Sequence, residues 1–292
     1  MKESVRKLVE RLRGRLGRDP IAPKSEPPTE PSLPFATDGH EFKSGLTVFD
    51  DRPLRFRSLT MAEEGITGLE EPGVEHSAFK IRVAKREGFQ EAAGSLIQRR
   101  YSERGYQSSR KRPEDPNLYT FVAYDEGKLV GTVGIRIDSE RGLSADQLYK
   151  EEIDNMRSAE CRLCEYTRLA VDHEAISKPV LAGLFHTAWM FTYYLRSCDF
   201  AVIEVNPRHA AFYRRALMFE PIGEQRLNTR VNAPAVLLCL QNDRFPPEIQ
   251  KFGGRPELAK TTRLMFPYWF GEKQAEGILG RLRELDKDRN SP

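Results

Sequence analysis

No signal-peptide pattern accompanies the four cysteines of this 292-residue chain, which argues against a disulfide framework and creates the expectation of a reducing cytoplasm. Nor does any apolar run approach the roughly 20 residues that span a bilayer. Charge of one sign is also scarce: 46 Lys and Arg stand against 43 Asp and Glu, a formal net charge of +3. That balance is too weak to argue for nucleic acid, yet it is compatible with docking an acidic protein or an anionic lipid surface. Cys161-x-x-Cys164 has no second pair after it, and in a strand a spacing of three turns the two side chains to opposite faces, so zinc and redox readings are rejected. The run "DHE" at 172–174 lacks the second histidine of a metalloprotease helix, and no metal is expected. There is no G-x-S-x-G elbow, so any acyl transfer is read as direct, without an acyl-enzyme.

What is present has a clear order. Residues 1–34 combine a basic amphipathic helix, with Val5, Leu8, Val9, Leu12 and Leu16 at helical spacing, and a proline-rich linker. Residues 1–18 of that helix could lie on a membrane surface or dock on their own domain, and the pattern leaves both open. Residues 35–78 read as an irregular extension. From Phe79 to Gln241 strands and helices follow as β-α-β-β-α-β-α-β-α-β-β, a single α/β domain with mixed strand pairing. Within it Glu126-Gly127 signals a hairpin, Ser144 is expected to cap the helix that follows, and "SKPVLAGLFHTAWMFTYYLRS" reads as one long apolar helix. Residues 242–292 are expected to form a helical extension packed on the domain or on a second subunit.

Five stretches carry a resemblance: "RRYSERGY", "TFVAYDEGKLVGTVGIRIDSERGLSADQLYKEEID", "CEYTRLAVD", "VIEVNPRHAAFYRRALMFEPIGE" and "RVNAPAVLL". Together they resemble the GNAT acyltransferase superfamily, and within it the long-chain N-acyl amino acid synthases, relatives of the acyl-homoserine lactone synthases. The resemblance covers about residues 79–241 and implies a GNAT fold, with a mixed, mostly antiparallel central sheet flanked by helices. Asn206 precedes Tyr213 by seven positions, as in that superfamily, and Met218-Phe219 stands where Gly-Phe is usual. One departure matters. Members that use acetyl-CoA place a glycine-rich loop before the helix after the fourth strand, where backbone N–H groups grip the pyrophosphate. Here that stretch is "DHEAISKPVLAG", with no glycine before Gly183 and with Pro179 lacking a donor. A phosphopantetheine arm on acyl carrier protein carries one phosphodiester and no pyrophosphate, so the missing loop points to an acyl-ACP donor, with acyl-CoA as the alternative.

Moving an acyl group from a thioester to an amine requires a base for the ammonium, a grip on the carbonyl, and help for the leaving thiolate. The resemblance implies Glu165 as that base; otherwise it is a strand glutamate paired with Arg168 or Arg162. Glu204, at the end of the next strand, is a second base or an ammonium binder, or else an edge salt bridge. Arg168, expected on the opposite strand face to Glu165, and Arg100 are candidates for the amino-acid carboxylate. Asn206 is a helix N-cap with Pro207 at N1, and it could also touch pantetheine, as could the backbone of Leu169, Ala170 and Val171. Tyr213 falls at the superfamily's general-acid position for the thiolate, with His209 one turn earlier on the same face. Arg208, Arg214, Arg215, Lys178 and Arg196 could dock an acidic carrier protein, or form a solvated face. Leu181, Leu184, Phe185, Trp189 and Phe191 are core or acyl-pocket residues.

These readings converge on a cytoplasmic enzyme that moves a long-chain fatty acyl group from acyl carrier protein to the α-amine of an amino acid, holding no cofactor of its own. The alternatives are a CoA-dependent N-acyltransferase acting on a small amine or protein, and a non-catalytic GNAT-fold binding module.

Overall fold

The computed structural model describes residues 47–50, 79–84, 87–103, 115–125, 127–172, 176–229 and 231–290. The chain divides into residues 1–44 and 45–292, and every described residue belongs to the second unit. The basic helix and the proline-rich linker expected at the N-terminus lie outside the described residues, as does part of the stretch read as a missing phosphate loop.

In chain order the elements are β1 (Thr47–Asp50), β2 (Lys80–Val83), α1 (Glu87–Ser102), β3 (Leu118–Asp125), β4 (Lys128–Ile137), α2 (Asp146–Ser158), β5 (Leu163–Val171) and α3 (Lys178–Met190). There follow β6 (Phe200–Val205), α4 (Pro207–Leu217), β7 (Glu220–Pro221), β8 (Arg226–Asn228), β9 (Ala233–Gln241), α5 (Phe245–Phe252) and α6 (Glu272–Asn290). They build one sheet of order β1-β2-β3-β4-β5-β6-β9-β7, with β8 paired to β9 off that path. All the pairings are antiparallel except β5 with β6. β1 falls within the stretch that was expected to be irregular and extends the sheet beyond β2.

Alternation along the strands sorts residues to two faces. Ile81, Phe121, Ala123, Val133, Ile135, Cys164, Tyr166, Ala201, Ile203, Leu238 and Leu240 bury one face in the main core. The apolar helix α3 packs there, joined by Phe266, Trp269, Phe270, Ile278 and Leu282 from the C-terminal segment. Gly183 lets α3 come close: a Cβ there would lie 3.0 Å from the Phe270 ring and 3.1 Å from Ile81 Cδ1. His186 is sealed in the same layer. It stacks on Trp269 at 4.4 Å between ring centroids, and its Nδ1 accepts from the Phe270 N–H at 3.1 Å. Burial lowers its pKa to about 3, so it stays neutral. Leu184, Phe185, Trp189 and Phe191 are core residues, and Leu181 packs at their edge. α1 and α2 serve the other face. There Ala93 joins Val122, and residues from the start of α2 reach Glu165.

Three local expectations are corrected. The long apolar helix does not run through as α: it ends at Met190 and continues as a π-helical turn, Phe191–Leu195. Ser144 does not cap α2 with its side chain. The cap position is Ala145, and the Ser144 hydroxyl instead accepts a hydrogen bond from Arg136 Nη1. Third, β5 carries a bulge opposite β4, because the register passes from Gly134↔Thr167 directly to Thr132↔Ala170. Arg168 sits in that bulge at φ 51°, in left-handed backbone that few arginines adopt, and the Thr132 hydroxyl donates to its carbonyl at 2.9 Å. The bulge suspends the two-residue period. Arg168 Cβ comes within 3.5 Å of where a Cβ on Gly134 would stand, over the face of Thr167 and Glu165 rather than the opposite one.

Candidate active site

Where β5 meets β6 the ladder is short. Only Leu163↔Phe200, Cys164↔Ala201 and Glu165↔Val202 are paired, although β5 runs to Val171 and β6 to Val205. Beyond Glu165 the two strands part. β5 continues along β4, through Ala170 and Val171, and β6 continues along β9. The bulged Arg168 lies on one wall of this opening and Glu204 on the other. Leu169 and Val171 are half-buried and Ala170 is buried.

Glu165 stands at the last paired position and is only 2% exposed. Its Oε2 accepts from the Ser144 N–H at 2.8 Å and its Oε1 from the Ala145 N–H at 3.1 Å, the two groups that lead into α2. A carboxylate at a helix start satisfies donors that have no intrahelical partner and faces the positive end of the helix dipole. The cationic neighbour is Arg136, directly opposite on β4, with Nη1 3.5 Å from Oε2. Neither Arg162 nor Arg168, the partners expected from the sequence, forms this pair. Arg136 in turn donates from Nε to Asp115 at 2.9 Å. Burial pushes the Glu165 carboxyl above its ordinary range; the Ser144 donors and Arg136 pull it back, and the charge of Glu204 raises it further.

Glu204 is half-buried, two residues beyond Val202 and so on the same face as Glu165. Asn228 on β8 donates to its Oε1. Tyr149 of α2 also lies in the field of Glu204. Its hydroxyl donates to the carbonyls of Ala235 at 2.8 Å and Glu224 at 3.0 Å, and burial, with that negative charge, pushes its phenol up to about 12.

Asn206 caps α4 as its residue type suggests: the side chain accepts from the Arg208 N–H at 3.2 Å, and Pro207 occupies N1. Met218 closes the helix at φ 59°, the left-handed position where the resemblance expects glycine. Tyr213 is buried on the core side of the sheet, edge-on to Phe185 and Phe219, and Tyr166 of β5 packs against the same two rings. Tyr213 and Glu165 therefore belong to opposite faces, and the gap between β5 and β6 opens the sheet between them. His209 accepts from Arg208 Nε at 3.2 Å.

Two arginines are committed elsewhere. Arg100 pairs with Asp172, just past β5, and with Glu103, so it ties α1 to the strand end. Arg196 bonds Asp286 of α6 and the Tyr119 hydroxyl, so it braces the C-terminal helix rather than lying open for docking. Arg208, Arg214, Arg215 and Lys178 are exposed, and Phe212 stays 38% exposed among the α4 arginines. All four cysteines are free thiols. No cluster of potential metal ligands and no helix long and apolar enough to cross a membrane occurs among the described residues.

The residues missed by sequence reading are Arg136, Asn228 and the Ser144–Ala145 backbone. Arg136 was detectable in principle, since pairing "GIRID" against "CEYTRLA" puts it opposite Glu165. Asn228 was not, because it is brought in by a three-residue strand with no pattern of its own.

The family model "N-acyl amino acid synthase FeeM" matches residues 92–241. Among solved structures, the N-acyl amino acid synthase FeeM from uncultured soil microbes is 26% identical, with 57% of this chain and 92% of that chain covered at a TM-score of 0.53. The AHL synthase LasI is 14% identical, with 57% and 91% covered and a TM-score of 0.43. An acyl-CoA N-acyltransferase from Pseudomonas aeruginosa is 12% identical, with 55% and 97% covered and a TM-score of 0.39. No curated protein sequence matches. The fold is that of the GNAT acyltransferases.

Proposed function

Because the chain belongs to the N-acyl amino acid synthase FeeM family and is an N-acyltransferase, we propose that its acceptor is the α-amine of an amino acid and its donor a long-chain acyl thioester on acyl carrier protein. The observation that carries this reading is the parting of β5 and β6 immediately after Glu165↔Val202. A pantetheine arm laid between those strands would reach both faces of the sheet. Its thioester would meet the backbone around Leu169, Ala170 and Val171, where the bulge frees a residue from the ladder.

In this reading the two glutamates act as a pair. Two like charges on one face favour uptake of one proton between them, and that proton comes from the substrate ammonium. It enters through Glu204, the less buried member; Glu165, held by two N–H groups and Arg136, keeps the pair in place. The freed amine attacks the thioester carbonyl and the C–S bond breaks. Tyr213 on the core side gives its proton to the leaving thiolate, and the second proton lost by the attacking nitrogen as it becomes the amide restores the phenol through solvent. Arg168, raised over the glutamate face by the bulge, is the candidate for the substrate carboxylate. Asn206 and His209 flank the arm where α4 begins.

A carrier protein as donor is supported by the outer face of α4. Arg208, Phe212 and Arg215 form one stripe at helical spacing, with Arg214 beside it, offering cations around an exposed aromatic. No acidic side chain among the described residues pairs with Arg214 or Arg215. The site of action would be the cytoplasm, where acidic carrier protein and free amino acids meet. Mass spectrometry of lipids from bacteria overexpressing the chain tests the proposal. N-acyl amino acids should accumulate with the native chain and not with Glu204→Gln, and an unchanged lipid profile would overturn it.

A further inference from the structure

The most informative polar group outside the predicted site is Asn228. Asparagine is depleted in strands, and a buried amide needs partners for its donors and acceptor. Asn228 nevertheless ends β8 at 5% exposure, on a strand of three residues. Its Nδ2 donates to Glu204 Oε1. A carboxylate only accepts, so the NH2 side of the amide must face it, and a donor aimed at a charged acceptor is both stronger and more directional than a neutral pair.

What gives this contact authority over Glu204 is how firmly β8 is held. Its strand pairs with β9 at Arg226↔Ala235, Leu227↔Pro234 and Asn228↔Ala233. Arg226, two residues before Asn228, donates to the Glu152 carboxylate and to the Leu148 carbonyl of α2, and its guanidinium lies 4.7 Å over the Tyr149 ring. The Tyr149 hydroxyl returns the tie to β9 through the Ala235 carbonyl. α2 thus carries β8 along its length, while its first turn rests on Glu165. Both carboxylates are set from one helix, Glu165 directly and Glu204 through Arg226 and Asn228.

We infer that Asn228 is a positioning residue for Glu204: its amide aims that carboxylate into the opening between β5 and β6 and holds it in the ionised form needed to accept a proton. This deepens the functional reading above and rests on it. Among the described residues, the groups that share an electrostatic field with Glu204 include Glu165 on β5 and Tyr149 on α2, with Arg226 and Glu152 next to Tyr149. Tyr149, pushed up to about 12, remains protonated in the working range and adds nothing to the acid limb of the rate.

The test is the pH profile of kcat/KM in the full-length chain, with palmitoyl-carrier protein and a mixture of the twenty amino acids as substrates and thiol release as the signal. Asn228→Ala removes a donor that favours the charged form. Its acid limb should move up by about one pH unit, with much of the rate recovered at high pH. Asn228→Asp keeps the shape but adds a like charge, and should move the limb at least as far. A rate lowered equally at every pH, with the midpoint unmoved, would overturn the inference and leave Asn228 as a packing residue. Failure of both variants to fold would overturn it in the same way. Glu204→Gln run alongside separates the two levels. If it retains wild-type turnover, the base reading itself fails; if it is inactive while Asn228→Ala leaves the midpoint unmoved, only the role of Asn228 fails.

Discussion

Replacing Glu165 by glutamine should damage both stability and turnover, by amounts that can be worked out separately. The carboxylate has two oxygens, each accepting one backbone N–H, at 2.8 Å from Ser144 and 3.1 Å from Ala145. Glutamine offers one carbonyl and one NH2, so one of those two N–H groups would be left buried against another donor. Such an orphaned group costs about 1–3 kcal/mol. The ion pair with Arg136 is lost as well, but that guanidinium keeps Asp115 and Ser144, so the damage stays below the full penalty of a stranded charge. The total is about 2–4 kcal/mol, which in a domain of this size lowers Tm by roughly 5–15 °C. Calorimetry or circular dichroism measures that shift. Initial rates taken well below the lower Tm, per folded molecule, then isolate chemistry, where loss of half the proton-accepting pair should cost about 10²-fold or more. A Tm within a degree or two of wild type would refute the claim that Glu165 anchors the start of α2. Turnover within about threefold would refute its place in the base.

Reversal of charge on α4, as Arg214→Glu with Arg215→Glu, should raise KM for acyl carrier protein about tenfold or more with kcat little changed, since exposed charges act on encounter; steady-state kinetics at low and high salt would show it, and an unchanged KM would remove α4 from the docking surface. His186 should make the fold acid-sensitive. Its pKa lies near 3 in the folded protein and near 6.5 in the open chain, so the unfolded state takes up the extra proton. Stability from this group is whole above about pH 6.5 and falls as pH drops towards 3, by roughly 1.4 kcal/mol per unit. Urea titrations from pH 7 to 4 measure that slope, which should flatten in His186→Gln. Asn206→Ala should cost about 1 kcal/mol through the lost cap, read as a shift in the urea midpoint.

How much of this was legible in the sequence depended on range. The apolar run in "TFVAY" and the alternation in "VGIRI" place β3 and β4, and Asn206-Pro207 announces its own cap, because these signals act over a few residues. The direction of Arg168 was not legible. A bulge depends on how β5 registers against β4, and no residue in "CEYTRLAVD" marks it. The role of Ser144 was misread for a related reason: a serine before a helix is a sound cap signal, but a long-range carboxylate from β5 and Arg136 from β4 competed for its groups. The electrostatics of the site are equally non-local. Glu165 meets Arg136 only through strand pairing, and Glu204 meets Asn228 only because β8 folds back on β9.

The central claim, a thioester received between β5 and β6 and delivered to an amino acid, is tested most directly by offering the purified chain palmitoyl-carrier protein, palmitoyl-CoA and acetyl-CoA in parallel. Each reaction would contain the same amino-acid mixture and would be read by mass spectrometry of products. The account predicts N-palmitoyl amino acids, formed fastest from the carrier protein. Turnover with acetyl-CoA alone would contradict it.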